Sequence, residues 1–239
     1  IKILQNTYSQ NQQSIESLVN KLKFIDNEII DEVTKEIKLL KEANISGIKV
    51  VDGGALMNCS LLATIDLKDA TIIGMEAFSG CLGLTSVDSS SVKVLEAGAF
   101  LTCNNLTNVT LKVVERIETQ ALSCIGVTEI KLPATIEYIA PTAFYYNAKQ
   151  VKFTNTSLED TCVINDYITL DEGVVYTTTN NNKLLLTSYP AAKSAETYEV
   201  LFNTVRIDEY AGYFNKNISK IIFSDTVSLI GNMSFYGCT

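Results

Sequence analysis

The chain has 239 residues, of which 46% are hydrophobic, and it carries a formal net charge of −8. This composition is too apolar for a disordered chain and is sufficient for one sizeable domain or two small ones. The acidic balance excludes a general nucleic-acid binder, because neutralising phosphates requires lysine and arginine in excess. No run of about 18 apolar residues predicts a membrane span. The sequence contains no histidine, so the most common general base and metal ligand is missing.

The first element in chain order is an amphipathic helix predicted between Ser14 and about Glu42. Its apolar residues recur at spacings of three and four, which is the period of one helix face. They are Ile15, Leu18, Val19, Leu22, Ile25, Ile29, Ile30, Val33, Ile37 and Leu40. Two interpretations stay open for this segment, assigned to residues 1–44: a helical cap on the structure that follows, or a coiled-coil helix that binds a partner.

From about residue 48 the sequence repeats with a fixed period. Five alanines lie 22 residues apart: Ala55, Ala77, Ala99, Ala121 and Ala143. Each is followed by a large apolar residue, and the pattern L-x-x-[IV]-x-[LS] comes after the first three, as in Leu62-Ile65-Leu67. After an interruption the period resumes at 23 residues, where Ile230 repeats Ile207. A constant period of this length indicates a solenoid.

The repeated L-x-x-I-x-L segment has the alternation of a β-strand. It places Ile65 and Leu67 inward and Thr64, Asp66 and Lys68 outward. We therefore predict one short strand per coil, paired in parallel with its equivalent about 4.8 Å away in the next coil. Because a single coil cannot bury its own apolar residues, the stacking of coils forms the core.

These residues resemble the BspA-like, or treponemal-type, leucine-rich repeat, whose coil reads approximately L-x-x-I-x-[LI]-P-x-x-[LV]-x-x-I-x-x-x-A-F-x-x-C. The best match is IKLPATIEYIAPTAF, from Ile130 to Phe144, and the resemblance covers about residues 48–239. The departures from the pattern are Gly212 for Phe, Ser234 for Ala, a shifted Cys124, and Asn147 and Asn215 for Cys. The resemblance implies an α/β leucine-rich-repeat solenoid of mostly short parallel strands, one per 22–23-residue coil, over residues 45–239, with an N-terminal helical cap.

Between about residues 154 and 206 the period is interrupted. The stretch from Asp171 to Tyr176, the polar run from Asn180 to Lys183 and the three leucines from Leu184 to Leu186 predict a β-hairpin. Together with Tyr189-Pro190, it resembles an insertion common in arrays of this family. We interpret it as a structural spacer, with a ligand-contacting loop as the alternative.

The sequence stops soon after Phe235-Tyr236-Gly237-Cys238, where another strand of the pattern is due. We expect further repeats in the parent protein, or self-association through the open C-terminal repeat.

The six cysteines are predicted to be buried free thiols. Residues 22 apart occupy equivalent inward sites, no C-x-x-C pair exists, and stacked parallel side chains rarely adopt the disulfide dihedral angle. Asp166, Asp171, Glu172 and Asp208 lie near the insertion, but without a calcium-loop pattern they are interpreted as solvated surface charges. No metal or cofactor is expected.

The candidate partner-binding surface is the outward side of the strand ladder. Its residues are Asp66, Asp88, Thr110, Lys112, Lys131, Lys152 and Ile222. Read as one column, the central residues pass from acidic through neutral to basic and finally to apolar. Such a gradient would orient a partner; an ordinary polar surface is the alternative.

The resemblance implies a non-catalytic protein-binding scaffold, specifically a cell-surface or secreted adhesion module that contacts host or matrix proteins. The alternative is an intracellular, cytoplasmic scaffold that assembles a signalling or regulatory complex, which free thiols would favour. Nucleic-acid binding and direct membrane insertion are not expected. We do not predict an enzyme, because without histidine only carboxylate, lysine, tyrosine or cysteine chemistry is available.

Overall fold

The computed structural model describes residues 40–145, 152–154, 161–163, 167–190, 193 and 195–238. The strands within these ranges are β1 (Glu42–Asn44), β2 (Val50–Val51), β3 (Thr64–Asp66), β4 (Ile72–Ile73), β5 (Ser86–Asp88), β6 (Val94–Leu95), β7 (Asn108–Thr110), β8 (Arg116–Ile117), β9 (Glu129–Lys131), β10 (Tyr138–Ile139), β11 (Lys152–Thr154), β12 (Thr161–Val163), β13 (Ile168–Asp171), β14 (Val174–Thr178), β15 (Leu184–Ser188), β16 (Thr197–Glu199), β17 (Thr204–Ile207), β18 (Lys220–Ile222) and β19 (Leu229–Ile230).

The strands wind into a parallel β-solenoid of ~8 turns with ~22 residues per turn. Each regular coil contributes two strands. The first ladder contains β1-β3-β5-β7, then β9-β11 and β16-β18, and the second contains β2-β4-β6-β8-β10 and later β15-β17-β19. The predicted parallel stacking is confirmed, but one strand per coil is wrong. The second strand has only two residues, so no alternation in the sequence marks it.

The α/β assignment is wrong for the described residues, which contain strands and turns but no α-helix. The segment around each repeated alanine is a turn that bonds to the next coil: Leu56 N–H donates to the Ala77 carbonyl and Phe78 N–H to the Ala99 carbonyl, both at 2.9 Å. The residue before each of the first four alanines has a positive φ, as at Glu76 (55°) and Gln120 (56°). Helical residues have negative φ, so this backbone cannot continue as a helix.

The N-terminal helical region and cap fall on residues that are mostly outside the described ranges. The first ladder begins within the segment assigned to them, because β1 pairs with β3 in the register Ala43 to Ile65. Leu40 accordingly takes the place in its coil that Leu62 takes in the next, and it packs against the core as a partly buried residue. For residues 1–39 the helix remains a prediction.

Equivalent positions of successive coils form continuous inward columns. Four of the repeated alanines, Ala77, Ala99, Ala121 and Ala143, are completely buried. The following Phe78 and Phe100 are also completely buried, and their rings stack with centroids 5.2 Å apart and planes 7° from parallel. In the strand, Ile65 and Leu67 are buried while Thr64 and Lys68 are exposed, which confirms the predicted alternation.

Cys59, Cys81, Cys103 and Cys124 are buried free thiols, as predicted, whereas Cys238 is a free thiol that is only partly buried. Cys162 lies on a strand whose side chains are outside the description. The thiols also link coils: Cys103 Sγ donates to the Phe78 carbonyl at 3.0 Å and Cys124 Sγ to the Phe100 carbonyl at 2.8 Å. Where the repeat has Asn215 instead, its amide makes the equivalent bond to the Pro190 carbonyl at 3.0 Å. This column of cysteines and Asn215 therefore requires a hydrogen-bond donor, which need not be a thiol.

The predicted hairpin is confirmed as antiparallel β14 and β15, and β13 extends the same sheet. Val175 packs into one hydrophobic cluster with the preceding coils, whereas its neighbours Val174 and Tyr176 pack into a second cluster with the following coils. The hairpin sheet thus forms a wall between two cores, which accords with a structural role. Regular coils resume at β16, earlier than the boundary near residue 206 that the sequence predicts.

A chain of buried hydrogen bonds ties this wall to the coil that follows it. Leu201 N–H donates to Tyr176 Oη at 3.3 Å, the Tyr176 and Tyr198 hydroxyls lie 2.7 Å apart, and Tyr198 donates to Asp171 Oδ2 at 2.6 Å. Because Tyr198 donates its single hydroxyl hydrogen to Asp171, it must accept the hydrogen bond from Tyr176. Each hydroxyl in the chain is therefore both donor and acceptor.

Truncating Phe100 tests the inward and outward assignment. We expect Phe100→Ala to lower the free energy of unfolding by about 3–5 kcal/mol, because it leaves a cavity between stacked coils. Lys131→Ala, on the outward side of β9, should be nearly neutral. Urea denaturation of both variants measures the difference, and equal losses would contradict the assignment.

Removing the Tyr198 hydroxyl tests the buried chain of hydrogen bonds. Tyr198→Phe should lower the free energy of unfolding by about 2–3 kcal/mol, because Asp171 and Tyr176 both lose this partner. Tyr176→Phe should lower it by about 1 kcal/mol, since the Tyr198–Asp171 bond survives. Tyr236→Phe, at a half-exposed ring, is the control. A loss at Tyr198 no larger than at Tyr236 would show that the chain adds no stability.

Candidate protein-binding surface

The outward side of the first ladder is called the ladder face below; it comprises the outward residues of β1, β3, β5, β7, β9, β11, β16 and β18, together with Lys68 and Lys112, which stand two residues after the ends of β3 and β7. In its N-terminal half the strand register agrees with the predicted column. Asn44 pairs with Asp66, Asp66 with Asp88, and Asp88 with Thr110. The parallel ladder therefore places like positions side by side at the strand spacing of about 4.8 Å.

The predicted column is wrong at Lys152. The register pairs Lys131 with Thr154, and Lys152 with Glu129. Farther along, Glu199 pairs with Ile222. The central column thus ends in lysine, threonine, glutamate and isoleucine, not in two lysines followed by isoleucine. Phe153 stands ten residues after Ala143, as Ile65 does after Ala55, so this coil is not shortened and the prediction placed its strand two residues too early.

The two aspartates of the column are held in place by their own backbone. Asp66 Oδ1 accepts from Lys68 N–H, and Asp88 Oδ1 accepts from Ser90 N–H, both at 3.1 Å. The other oxygen of Asp66 lies 3.8 Å from Lys68 Nζ, a distance at which a solvent-exposed pair contributes little. Both carboxylates are therefore oriented at the surface without a strong salt bridge.

A depression of about 340 Å³ lies on this acidic half of the ladder face. Its lining residues are Glu42, Ala43, Asn44, Thr64, Ile65, Asp66, Lys68 and Asp88. Three acids and one lysine surround an apolar floor formed by Ala43 and Ile65.

The basic end of the ladder face lies on the neighbouring coils. Lys112 and Lys131 are exposed, and Thr110 between the two charged ends is half-buried. Glu129 Oε1 accepts from Thr154 Oγ1 at 3.1 Å, so one acid of this end has a partner on the next strand. Ile222 is 38% exposed, as expected for an apolar residue at the far end.

The carboxylates near the insertion do not come together as a metal site, and no group of ligands suited to a metal occurs within the described ranges. The expectation of solvated surface charges is wrong for Asp171 and Asp208, which are only 7% and 2% exposed. Asp208 pairs with Arg206 at 2.6 Å and accepts from Thr187 at 3.1 Å. Burial raises the pKa of the Asp208 carboxyl, although Arg206 opposes the shift. Asp166 lies outside the described residues.

Two further outward surfaces were not predicted. The outer side of the second ladder carries an apolar row, Val50, Ile72 and Val94, which the two-residue strands align. On the turn side, Tyr145, Tyr213 and Tyr236 stack with centroids 5.2 and 5.5 Å apart. All three tyrosines stand two residues after an alanine or its substitute, so the period could have revealed this row.

In the coil containing β18 and β19, Ile230 is exposed at a position that is buried in the other coils. Leu229 and Ile230 are 54% and 51% exposed, whereas Ile207, which pairs with Ile230, is completely buried. Self-association through this coil remains a prediction.

Comparison with protein families identifies this architecture. The family model described as a BspA type leucine-rich repeat region matches residues 27–151 and 191–239 in six copies. The chain belongs to this family. The unmatched interval between the two ranges contains the hairpin wall, and members of the BspA type are typically non-catalytic binding scaffolds.

Several solved structures share the fold. A leucine-rich cell-surface protein from Faecalibacterium prausnitzii is 27% identical, with a TM-score of 0.70 over 83% of this chain and 52% of that one. The pneumococcal vaccine antigen PcpA is 20% identical, with a TM-score of 0.68 over 82% of this chain and 48% of that one. A Treponema pallidum leucine-rich-repeat protein is 16% identical, with a TM-score of 0.51 over 83% of this chain and 76% of that one.

This BspA-type chain therefore spans about half the length of the first two solved relatives. No relative was found among curated proteins. Within the described part of the chain, no helix is both long and apolar enough to cross a bilayer.

Proposed function

We propose that this BspA-type solenoid is an adhesion module, on a cell surface or secreted, that binds a host or matrix protein through the ladder face. Membership of a family of binding scaffolds supports the general role. The cell-surface relative from F. prausnitzii, at 27% identity, supports the location. The order of charges along the ladder face supports its choice over the other sides of the coil.

The observation that carries the proposal is the charge order on a rigid ladder. Asp66 and Asp88 occupy adjacent strands of one column, and Lys112 and Lys131 follow on the next coils. Three coil steps separate Asp66 from Lys131, a span of about 14 Å at the strand spacing. A partner segment with basic residues at one end and acidic residues at the other, spaced to match, would bind in one direction. Such complementarity determines orientation and association rate more than affinity.

The free thiols, which favoured the intracellular alternative, do not support it once their burial is known. Free thiols indicate a reducing compartment only where they are accessible to oxidants or to other thiols. Here Cys59, Cys81, Cys103 and Cys124 are completely buried, and burial raises the pKa of the Cys59 and Cys81 thiols, which disfavours the reactive thiolate. These four would stay reduced in either compartment.

Reversing charges on the ladder face tests the proposal. We expect Lys112→Glu/Lys131→Glu and, separately, Asp66→Lys/Asp88→Lys each to lower binding at least about tenfold on a panel of purified matrix glycoproteins, mainly through the association rate. The wild-type interaction should weaken as salt rises from about 0.05 to 0.5 M, because exposed charges become screened. Surface plasmon resonance measures both effects.

A matched control changes the same number of charges elsewhere. Lys49 lies beside the second ladder and Lys216 on the turn side, and both are exposed. Lys49→Glu/Lys216→Glu has the net charge of the first variant and should bind like the wild type. If control and ladder variants weaken binding equally, net charge is responsible and the ladder face is not the contact surface. If no ladder variant changes the binding of a glycoprotein that the wild type recognises, the proposal is wrong.

A further inference from the structure

A cluster of aromatic rings lies on the turn side of the C-terminal half of the solenoid. Its members are Tyr145, Tyr210, Tyr213, Phe214 and Tyr236, and the set is called the aromatic row below. Tyr213 lies at its centre, because its ring contacts each of the others at centroid distances between 4.4 and 5.5 Å. Tyr236 is 54% exposed and the others are half-buried, so solvent reaches the whole row.

Two of the rings stand at backbone positions that do not favour an aromatic residue. Tyr210 and Phe214 have positive φ, 57° and 58°, which strains a bulky residue. In other coils the position of Tyr210 is held by a glycine such as Gly98, and that of Phe214 by Gly80. Gly237 makes room for the Phe214 ring, because a Cβ at Gly237 would lie 2.5 Å from Phe214 Cδ1. The turn itself therefore gives no reason for either ring.

The chemistry of the aromatic row is neutral and amphipathic. None of its side chains is charged, although the chain has a net charge of −8. The rings offer apolar surface, and each tyrosine hydroxyl can both donate and accept a hydrogen bond. A matching ligand has C–H groups that pack on the rings and uncharged hydroxyls that bond to the phenols. Neutral carbohydrates carry both kinds of group.

The spacing and size of the aromatic row favour a short glycan over a protein. Tyr145, Tyr213 and Tyr236 follow one another along the stack, with centroids 5.2 and 5.5 Å apart and planes 25° and 17° from parallel. Each step is close to the length of one pyranose unit in an extended β-1,4-linked chain. Because most of the rings are half-buried, the row exposes well under the ~800 Å² per partner of a stable protein–protein interface.

We propose that the aromatic row binds an extended, neutral β-1,4-linked oligosaccharide. Successive sugar rings contact Tyr145, Tyr213 and Tyr236, while Tyr210 and Phe214 widen the apolar surface beside them. The tyrosine hydroxyls exchange hydrogen bonds with the sugar hydroxyls. This site lies on a different side of the coil from the ladder face, and it does not depend on which protein the ladder face binds.

Titration with cellohexaose, a neutral β-1,4-linked hexasaccharide, tests the proposal. We expect saturable binding by isothermal titration calorimetry, unchanged between about 0.05 and 0.5 M salt, because a neutral ligand has no charge to screen. Since the chain contains no tryptophan, its tyrosine fluorescence should change in parallel. Tyr236→Ala should lower the association constant at least about fivefold, because one ring contact is lost. Maltohexaose, whose α-linked chain curves, should bind more weakly.

Tyr210→Gly separates binding from folding. Glycine adopts the positive φ without strain, so this variant should unfold near the wild-type urea concentration yet bind cellohexaose at least about threefold more weakly. Phe202→Ala is the matched control, because it removes an 80% exposed ring on the turn between β16 and β17. It should bind cellohexaose like the wild type, as should Lys112→Glu/Lys131→Glu on the ladder face. If Tyr210→Gly is destabilised, Tyr236→Ala decides.

Three results would overturn the proposal. The first is a folded wild type that shows no saturable binding of cellohexaose, and the second is an equal loss of binding in Phe202→Ala and Tyr236→Ala. Equal affinity for maltohexaose is the third, since the ring spacing would then not select an extended chain. If Tyr236→Ala leaves cellohexaose binding unchanged but weakens binding to an enzymatically deglycosylated matrix protein, the aromatic row is a protein contact and the glycan proposal is wrong.

Discussion

The structure depends on the backbone hydrogen bonds that join each coil to the next at equivalent positions. They run along both strand ladders and along the turns, where Phe100 N–H donates to the Ala121 carbonyl at 2.9 Å. Because these bonds fix the axial spacing, every inward side chain meets its equivalent from the neighbouring coils. Ala99 must be small and the position of Phe100 must be filled by a large apolar side chain for that reason, and the sequence period is the consequence. Stability therefore accumulates between nearest neighbours, as in other solenoids.

The same constraint explains which departures from the repeat are tolerated. Asn215 replaces a cysteine without loss because its amide donates to the previous coil as the thiols do. Tyr189 N–H donates to the Ala211 carbonyl at 2.7 Å, so the insertion ends by supplying the turn-side bond of an ordinary coil. Between these points the hairpin wall joins the second ladder through β15 and β17. A non-repeating segment fits into the stack when both of its ends restore the spacing and each of its faces is buried.

The sequence alone predicts much of this fold because the period reports directly on stacking. The alanine spacing, the inward Ile65 and Leu67, the hairpin and the buried thiols follow from local pattern. The second ladder does not, since a two-residue strand has no alternation to detect. The burial of Asp171 and Asp208 was missed because each has a hydrogen-bond partner that is distant in sequence: Tyr198 is 27 residues away from Asp171, and Thr187 is 21 residues away from Asp208. The column error at Lys152 arose because the coil between β9 and β11 has 23 residues, whereas the prediction assumed a shortened coil and so placed the strand two residues too early.

The division between inward and outward positions also determines how such a surface can acquire specificity. An outward residue such as Asp88 can change without disturbing the core, because its only structural duty is a local bond to Ser90 N–H. A change there alters one contact at one height on the ladder face while the spacing to the neighbouring contacts stays fixed by the backbone. The surface is thus ordered before binding, and an approaching partner loses little free energy to its reorganisation. Affinity can then be adjusted coil by coil, so relatives that share every inward residue can recognise different proteins.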